Sequence, residues 1–109
     1  MIIGHFVADP DGNRFQGELG FPFPAALVLI EPTVKIKEGG PDCLVLTHSE
    51  AGHPYDIGAA WHRTSRDGNP YLSVKLDSPL FTEPVNCALF GQPGGPYRLV
   101  WSRDDRKPD

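Results

Sequence analysis

The chain lacks the material for long helices. Pro and Gly each occur twelve times among 109 residues, roughly twice the usual frequency. Pro removes a backbone donor and Gly adds chain entropy, so both interrupt helical turns. No stretch of about ten residues carries apolar positions at helical spacing without one of these breakers. Long apolar runs are missing too. The longest, "AALVLI" at 25–30, falls far short of the ~20 residues that a membrane-spanning helix needs. The opening "MIIGHFVADP" has no basic segment ahead of a long apolar one, so no secretory leader of the usual form is expected. Cysteine is scarce, with Cys43 and Cys87 alone. In a chain without such a leader, two cysteines read as reduced thiols, and the expected location is the cytoplasm.

Strong net charge is also absent. The formal value is −4, which argues against tight nonspecific duplex binding, where phosphate neutralisation dominates. The charge is unevenly spread, however. Residues 1–55 hold 3 Lys and Arg against 7 Asp and Glu, while residues 56–109 hold 7 of each. Basic groups therefore gather in the second half, and a local basic face can exist on an acidic whole.

What is present is β-structure. The segment "RFQGEL" follows the turn-rich "DPDGN" and alternates Phe15, Gly17 and Leu19 against Gln16 and Glu18, a hairpin pattern with the strand "IIGHFV". "AALVLIE" predicts a strand buried on both faces if it is central. "VKIKEGG" predicts an edge strand guarded by Lys35 and Lys37, and "DCLVLTH" a further strand. The clearest hairpin is "IGAAWHRTSRDGNPYLSVKLD", whose Asp67-Gly68-Asn69 tolerates the positive φ of a turn. "PVNCALFG" and "YRLVWSR" add two more strands, joined by "QPGGP". The expectation is a single all-β domain over residues 1–103 with a polar tail at 104–109. Seven or eight antiparallel strands would form a small barrel or sandwich, with an oligonucleotide-binding (OB) barrel among the options. Alternation places Trp61 inside with Ile57 and Ala59, together with Leu72, Val74, Leu76, Leu89, Leu99 and Trp101.

The same alternation turns His62, Thr64, Tyr71, Ser73 and Lys75 outward. Arg98 and Ser102 take the equivalent face of the last strand, and Arg63 and Arg66 flank the turn. A polar, net-positive strip with an aromatic ring suits single-stranded nucleic acid, by phosphate contact and base stacking. The plainer alternative is that any half-exposed sheet must be polar outside. His62, Arg63, Arg66, Tyr71, Ser73, Lys75 and Arg98 are the candidate binding residues.

Other chemistry is weakly signalled. Cys43, His48, His53 and Cys87 are zinc-binding types, but no tight Cys-x2-Cys pair occurs, and separate burial of the thiols is expected instead. There is no Gly-x-Ser-x-Gly elbow. "GQPGGP" lacks the Lys and following helix of a phosphate cradle. The expectation is a protein without catalytic residues, metal or cofactor.

The elements Gly58 to Trp61, Thr64-Ser65, Asp67-Gly68, Tyr71 to Asp77 and Trp101 to Arg103 together resemble the bacterial domain-of-unknown-function family numbered 736. "IGHF", "FQGEL" and the apolar strand before "EP" extend the likeness over nearly the whole chain. The Pro-rich "FPFP" and the loop from Ser49 to Tyr55 depart from it. The resemblance implies no activity. It implies an accessory role in mobile genetic elements such as plasmids. The partner would be single-stranded nucleic acid or, alternatively, a protein complex, with the chain inhibiting a host defence complex in the manner of an anti-CRISPR. Neither partner is a membrane, and both a monomer and a homodimer are compatible with the sequence.

Overall fold

The computed structural model describes residues 1–20, 25–34, 37–48, 51–78, 83–92 and 94–101, with the side chains of 25 and 26 left aside. Eight strands follow one another: β1 (Ile2–Ala8), β2 (Phe15–Leu19), β3 (Ala25–Pro32), β4 (Cys43–His48), β5 (Pro54–Thr64), β6 (Pro70–Leu76), β7 (Val85–Gly91) and β8 (Tyr97–Trp101). Each pairs antiparallel with the next, and β8 returns to β1, so the sheet closes into a barrel. The barrel is therefore the form realised, rather than a sandwich. Its up-and-down order also differs from the five-stranded Greek key of an OB barrel. A closed barrel has no edge strand. Val34 lies outside any strand, and Lys35 and Ile36 of the expected edge lie outside the described residues, as does the expected tail.

The interior is filled by side chains. Val28, Ile30, Ala60 and Leu76 are fully enclosed, and Phe6, Ile57, Val74, Leu89 and Leu99 nearly so. Two glycines make room for rings. Gly17 lies opposite Phe6, Phe6 opposite Tyr97, and Tyr97 opposite Gly91. Tyr97 also meets Phe15 edge to face, with ring centroids 4.9 Å apart. Two adjacent rings are thus flanked by a glycine on either side at one level of the barrel. The rings occupy the space that absent side chains leave.

One irregularity changes the reading of the central hairpin. The β4–β5 pairing shifts after Val45, which lies opposite Gly58, whereas Leu46 lies opposite Asp56. Ile57 and Gly58 are both buried in consequence, as expected of a β-bulge, where two residues oppose one. Asp56 holds the bulge by accepting a hydrogen bond from the Gly58 amide at 3.1 Å. Beyond it the alternation is inverted. Ala60 faces inward, while Ala59 and Trp61 face outward.

Trp61 is therefore not a core residue. It is half-buried on the outer wall, and its indole Nε1–H donates to the Gly39 carbonyl at 3.2 Å, tying the β3–β4 connection to β5. Trp101, opposite Cys87, does pack against the core. Trp61→Ala should consequently cost about 1–2 kcal/mol, the sum of partial burial and one hydrogen bond, instead of the ~3–5 kcal/mol of an enclosed ring. Urea unfolding of the variant checks this, and a loss near the larger figure would contradict the outward placement.

Candidate functional site

The outer wall formed by β5 to β8 and β1 brings several expected residues into one row. Arg63 is opposite Tyr71. Tyr71 stacks on Phe90 with centroids 5.3 Å apart and planes at 29°. Phe90 is opposite Arg98, and Arg98 opposite His5. Neighbouring strands lie ~4.8 Å apart, so the two arginines stand roughly 14 Å from each other across three strand spacings. The result is a band of cation, two rings, cation and imidazole, running across the strands. Glu18, opposite His5, ends it.

Phe90 and His5 were not among the sequence candidates. Phe90 was legible, because Cys87 and Leu89 point inward and leave Ala88 and Phe90 outside. His5 was harder to assign, since a second bulge in β1, between Ile2 and Gly4, disturbs the alternation just before it.

Not every expected residue joins the band. Tyr71 points outward, but only 9 % of it is exposed. Phe90, 44 % exposed, is the available ring, and Tyr71 supports it from below. Ser73 is half-buried between Trp61 and Ala88, one level further along the wall. Lys75 is exposed at the next level, between Ala59 and Asn86. The bulge turns His62 and Thr64 away from this wall. His62 shares the inward parity of its partner Leu72 and is exposed at the barrel mouth, where its backbone amide donates to Asp42 Oδ2 at 2.9 Å. Arg66 is exposed in the β5–β6 turn. That turn is ordered by Ser65, whose hydroxyl accepts from the Asn69 amide at 3.2 Å, and by Gly68 at φ 86°. Ser102 lies outside the described residues.

Charge on the two sides of the barrel differs in sign. The outward positions of β5–β8 carry Arg63, Lys75 and Arg98 against one acid, Asp56, which is committed to the bulge. The segments β1–β4 contain no Lys or Arg and carry Glu18 and Glu31. A chain of negative net charge thus presents one basic wall.

Cys43 and Cys87 are free and buried. Among the described residues no group of three or more His, Cys, Asp or Glu is gathered as a metal site. Burial pushes the Cys87 thiol from its ordinary 9.0 up to about 12. Burial, followed by the nearby Asp42 carboxylate, raises that of Cys43. Neither thiol is a nucleophile at neutral pH. The folded pKa of Cys87 exceeds the unfolded one, so its contribution is whole below pH 9 and is lost as pH rises toward about 12. The slope is about 1.4 kcal/mol per pH unit. Urea unfolding of the wild type and of Cys87→Ala between about pH 8 and about pH 11 should show the stability gap between them shrinking. Parallel profiles would contradict the burial.

Residues 2–104 match the family model described as "Protein of unknown function (DUF736)". No curated protein and no solved structure matches the chain.

Proposed function

The chain belongs to the DUF736 family of proteins of unknown function, and on that premise we propose that it is a non-enzymatic, cytoplasmic accessory protein of mobile genetic elements that binds single-stranded nucleic acid. The observation that carries the reading is the continuous row Arg63, Tyr71–Phe90, Arg98, His5 on one wall. An exposed ring between two guanidinium groups suits a base stacked on Phe90 with phosphates at either side. The ~14 Å between the arginines spans only a few nucleotides, so few phosphates are neutralised. Affinity should be modest and salt-dependent, in keeping with the negative net charge.

Fluorescence anisotropy with labelled single-stranded and duplex oligonucleotides tests this. Single strands should bind more tightly, with an affinity that falls as salt rises. Phe90→Ala should cost ~1–3 kcal/mol of binding, and Tyr71→Ala should also weaken it by removing the ring beneath. Arg98→Ala and Lys75→Ala should each weaken binding evenly across sequences and flatten the salt slope by about 0.7. No binding at tens of micromolar protein in low salt would sink the reading. The second reading, a protein-binding module such as an inhibitor of a host defence complex, is favoured by the exposed apolar side chains of Val7 on β1 and Leu27 on β3.

A further inference from the structure

We infer that the outer wall of β1–β4 is a docking surface for a partner protein presenting apolar side chains inside a basic border. This surface borders the aromatic band at His5 and Glu18 but lies across the barrel strands from its rings, and it gives the protein-binding reading its site and its partner chemistry.

The strand "AALVLI" is apolar on both faces, yet the barrel covers only one of them. Val28 and Ile30 are fully enclosed, whereas Leu27 is 39 % exposed and Leu29 half-buried. Leu29 lies opposite Leu46 on β4, and Leu44 is the next outward residue of that strand. Across β2, Gln16 joins Leu29 to Val7, which is 60 % exposed. Leu27, Leu29, Leu44 and Leu46 therefore form an apolar patch on β3 and β4, and Val7 adds an apolar residue on β1 beyond Gln16. A solvent-facing strand of a small barrel has no folding need for them, because the core is already complete on the other face. Contiguous apolar surface of this kind marks interaction sites.

The wall also has relief. A shallow cleft of about 380 Å³, lined by His5, Val7, Gln16, Glu18, Leu27 and Pro96, opens at its β1–β2 side. Such a recess can receive one anchoring side chain of a partner.

The chemistry of the partner follows from the rim. Glu18 stands beside the cleft and Glu31 opposite Leu44. With no Lys or Arg on these four strands, an anionic membrane or nucleic acid would be repelled, while a basic-edged protein surface would be attracted. A second copy of the chain could offer its basic wall, but contact between unlike walls is head to tail and would propagate as an open chain unless its rotation closed a ring. A different protein is the occupant that fits.

The probe is a pair of labelled, designed amphipathic peptides, one of leucine and lysine and the other with glutamate replacing lysine. The lysine peptide should bind at least about tenfold more tightly than the glutamate peptide. The double variant Leu29→Gln, Leu46→Gln, shown to be folded by circular dichroism, should lose about tenfold in affinity. Glu31→Lys should lower affinity for the lysine peptide and raise it for the glutamate peptide. Phe90→Ala should leave peptide binding unchanged, which keeps failure here distinct from failure of the nucleic-acid reading. Equal binding of both peptides would overturn the inference, as would loss at Phe90→Ala with the leucine variant unaffected. A wild-type dimer that sedimentation shows dissociating in the leucine variant would assign the wall to a second copy, and that also overturns it.

Discussion

Gly17→Ala is expected to keep the barrel from closing. A Cβ at this position would overlap the His5 carbonyl oxygen and stand 2.7 Å from both Cα and Cγ of Phe6. Two of these three obstacles are backbone atoms, held by the β1–β2 ladder from Gly4–Leu19 to Ala8–Phe15. A flexible side chain could swing aside, but a paired strand cannot move without giving up its hydrogen bonds. The expected loss is about 4 kcal/mol or more, a large part of the ~5–15 kcal/mol that holds a small domain folded. The matched control is Gly12→Ala. Gly12 is at φ 75° in the β1–β2 turn, and a methyl group there would meet nothing within 4 Å, so only left-handed strain of ~1–2 kcal/mol applies. Thermal unfolding by circular dichroism should separate the two clearly. Equal midpoints would contradict the close approach of β1 and β2.

Phe6→Ala should rank next among substitutions in the core. Phe6 is 2 % exposed and fills the space above Gly17 beside Tyr97. Its removal empties the level where glycines have already reduced side-chain volume, so neighbours have little to collapse with. The cost should be ~3–5 kcal/mol, at the upper end of such truncations. Phe6→Leu, which keeps most of the volume, should retain more than half of that stability. Denaturant midpoints for the two variants provide the check, and a small loss for Phe6→Ala would mean that the ring is not enclosed.

The sequence disclosed the strands because alternation and turn residues are local signals. "RFQGEL" and "YLSVKL" alternate cleanly, and both are strands with the expected inward faces, Phe15 and Leu19 in one and Leu72, Val74 and Leu76 in the other. It hid what depends on distant pairing. Ile57 and Gly58 look like any two consecutive strand residues. Only β4, slipping its register between Val45 and Leu46, makes them a bulge and so turns Trp61 out and His62 toward the mouth. The candidate surface suffered accordingly. Arg63, Tyr71 and Arg98 form the row, Ser73 and Lys75 share the wall at other levels, and His62 leaves it. Phe90 shows the converse, since its outward position followed from Leu89 but its contact with Tyr71 needed the β6–β7 register. "AALVLI" misled for a related reason. Two apolar faces suggest a strand with layers on both sides, and a lone barrel has a layer on one side only.

The seam between β1 and β8 has a consequence for how the protein is made. The Met1 amino group donates to the Trp101 carbonyl at 2.9 Å, joining residues 100 positions apart, and Trp101 returns a bond from its amide to the Met1 carbonyl at 2.7 Å. Of the eight strands, β1 leaves the ribosome first and its sealing partner β8 last. Until residues 97–101 have cleared the exit tunnel, any sheet formed by β1–β7 keeps two unpaired edges, because closure needs the β8–β1 pairing. Such edges invite pairing with other nascent chains. A pause or truncation just before β8 is therefore the most hazardous moment in synthesis, when nearly the whole core exists and nothing yet closes it.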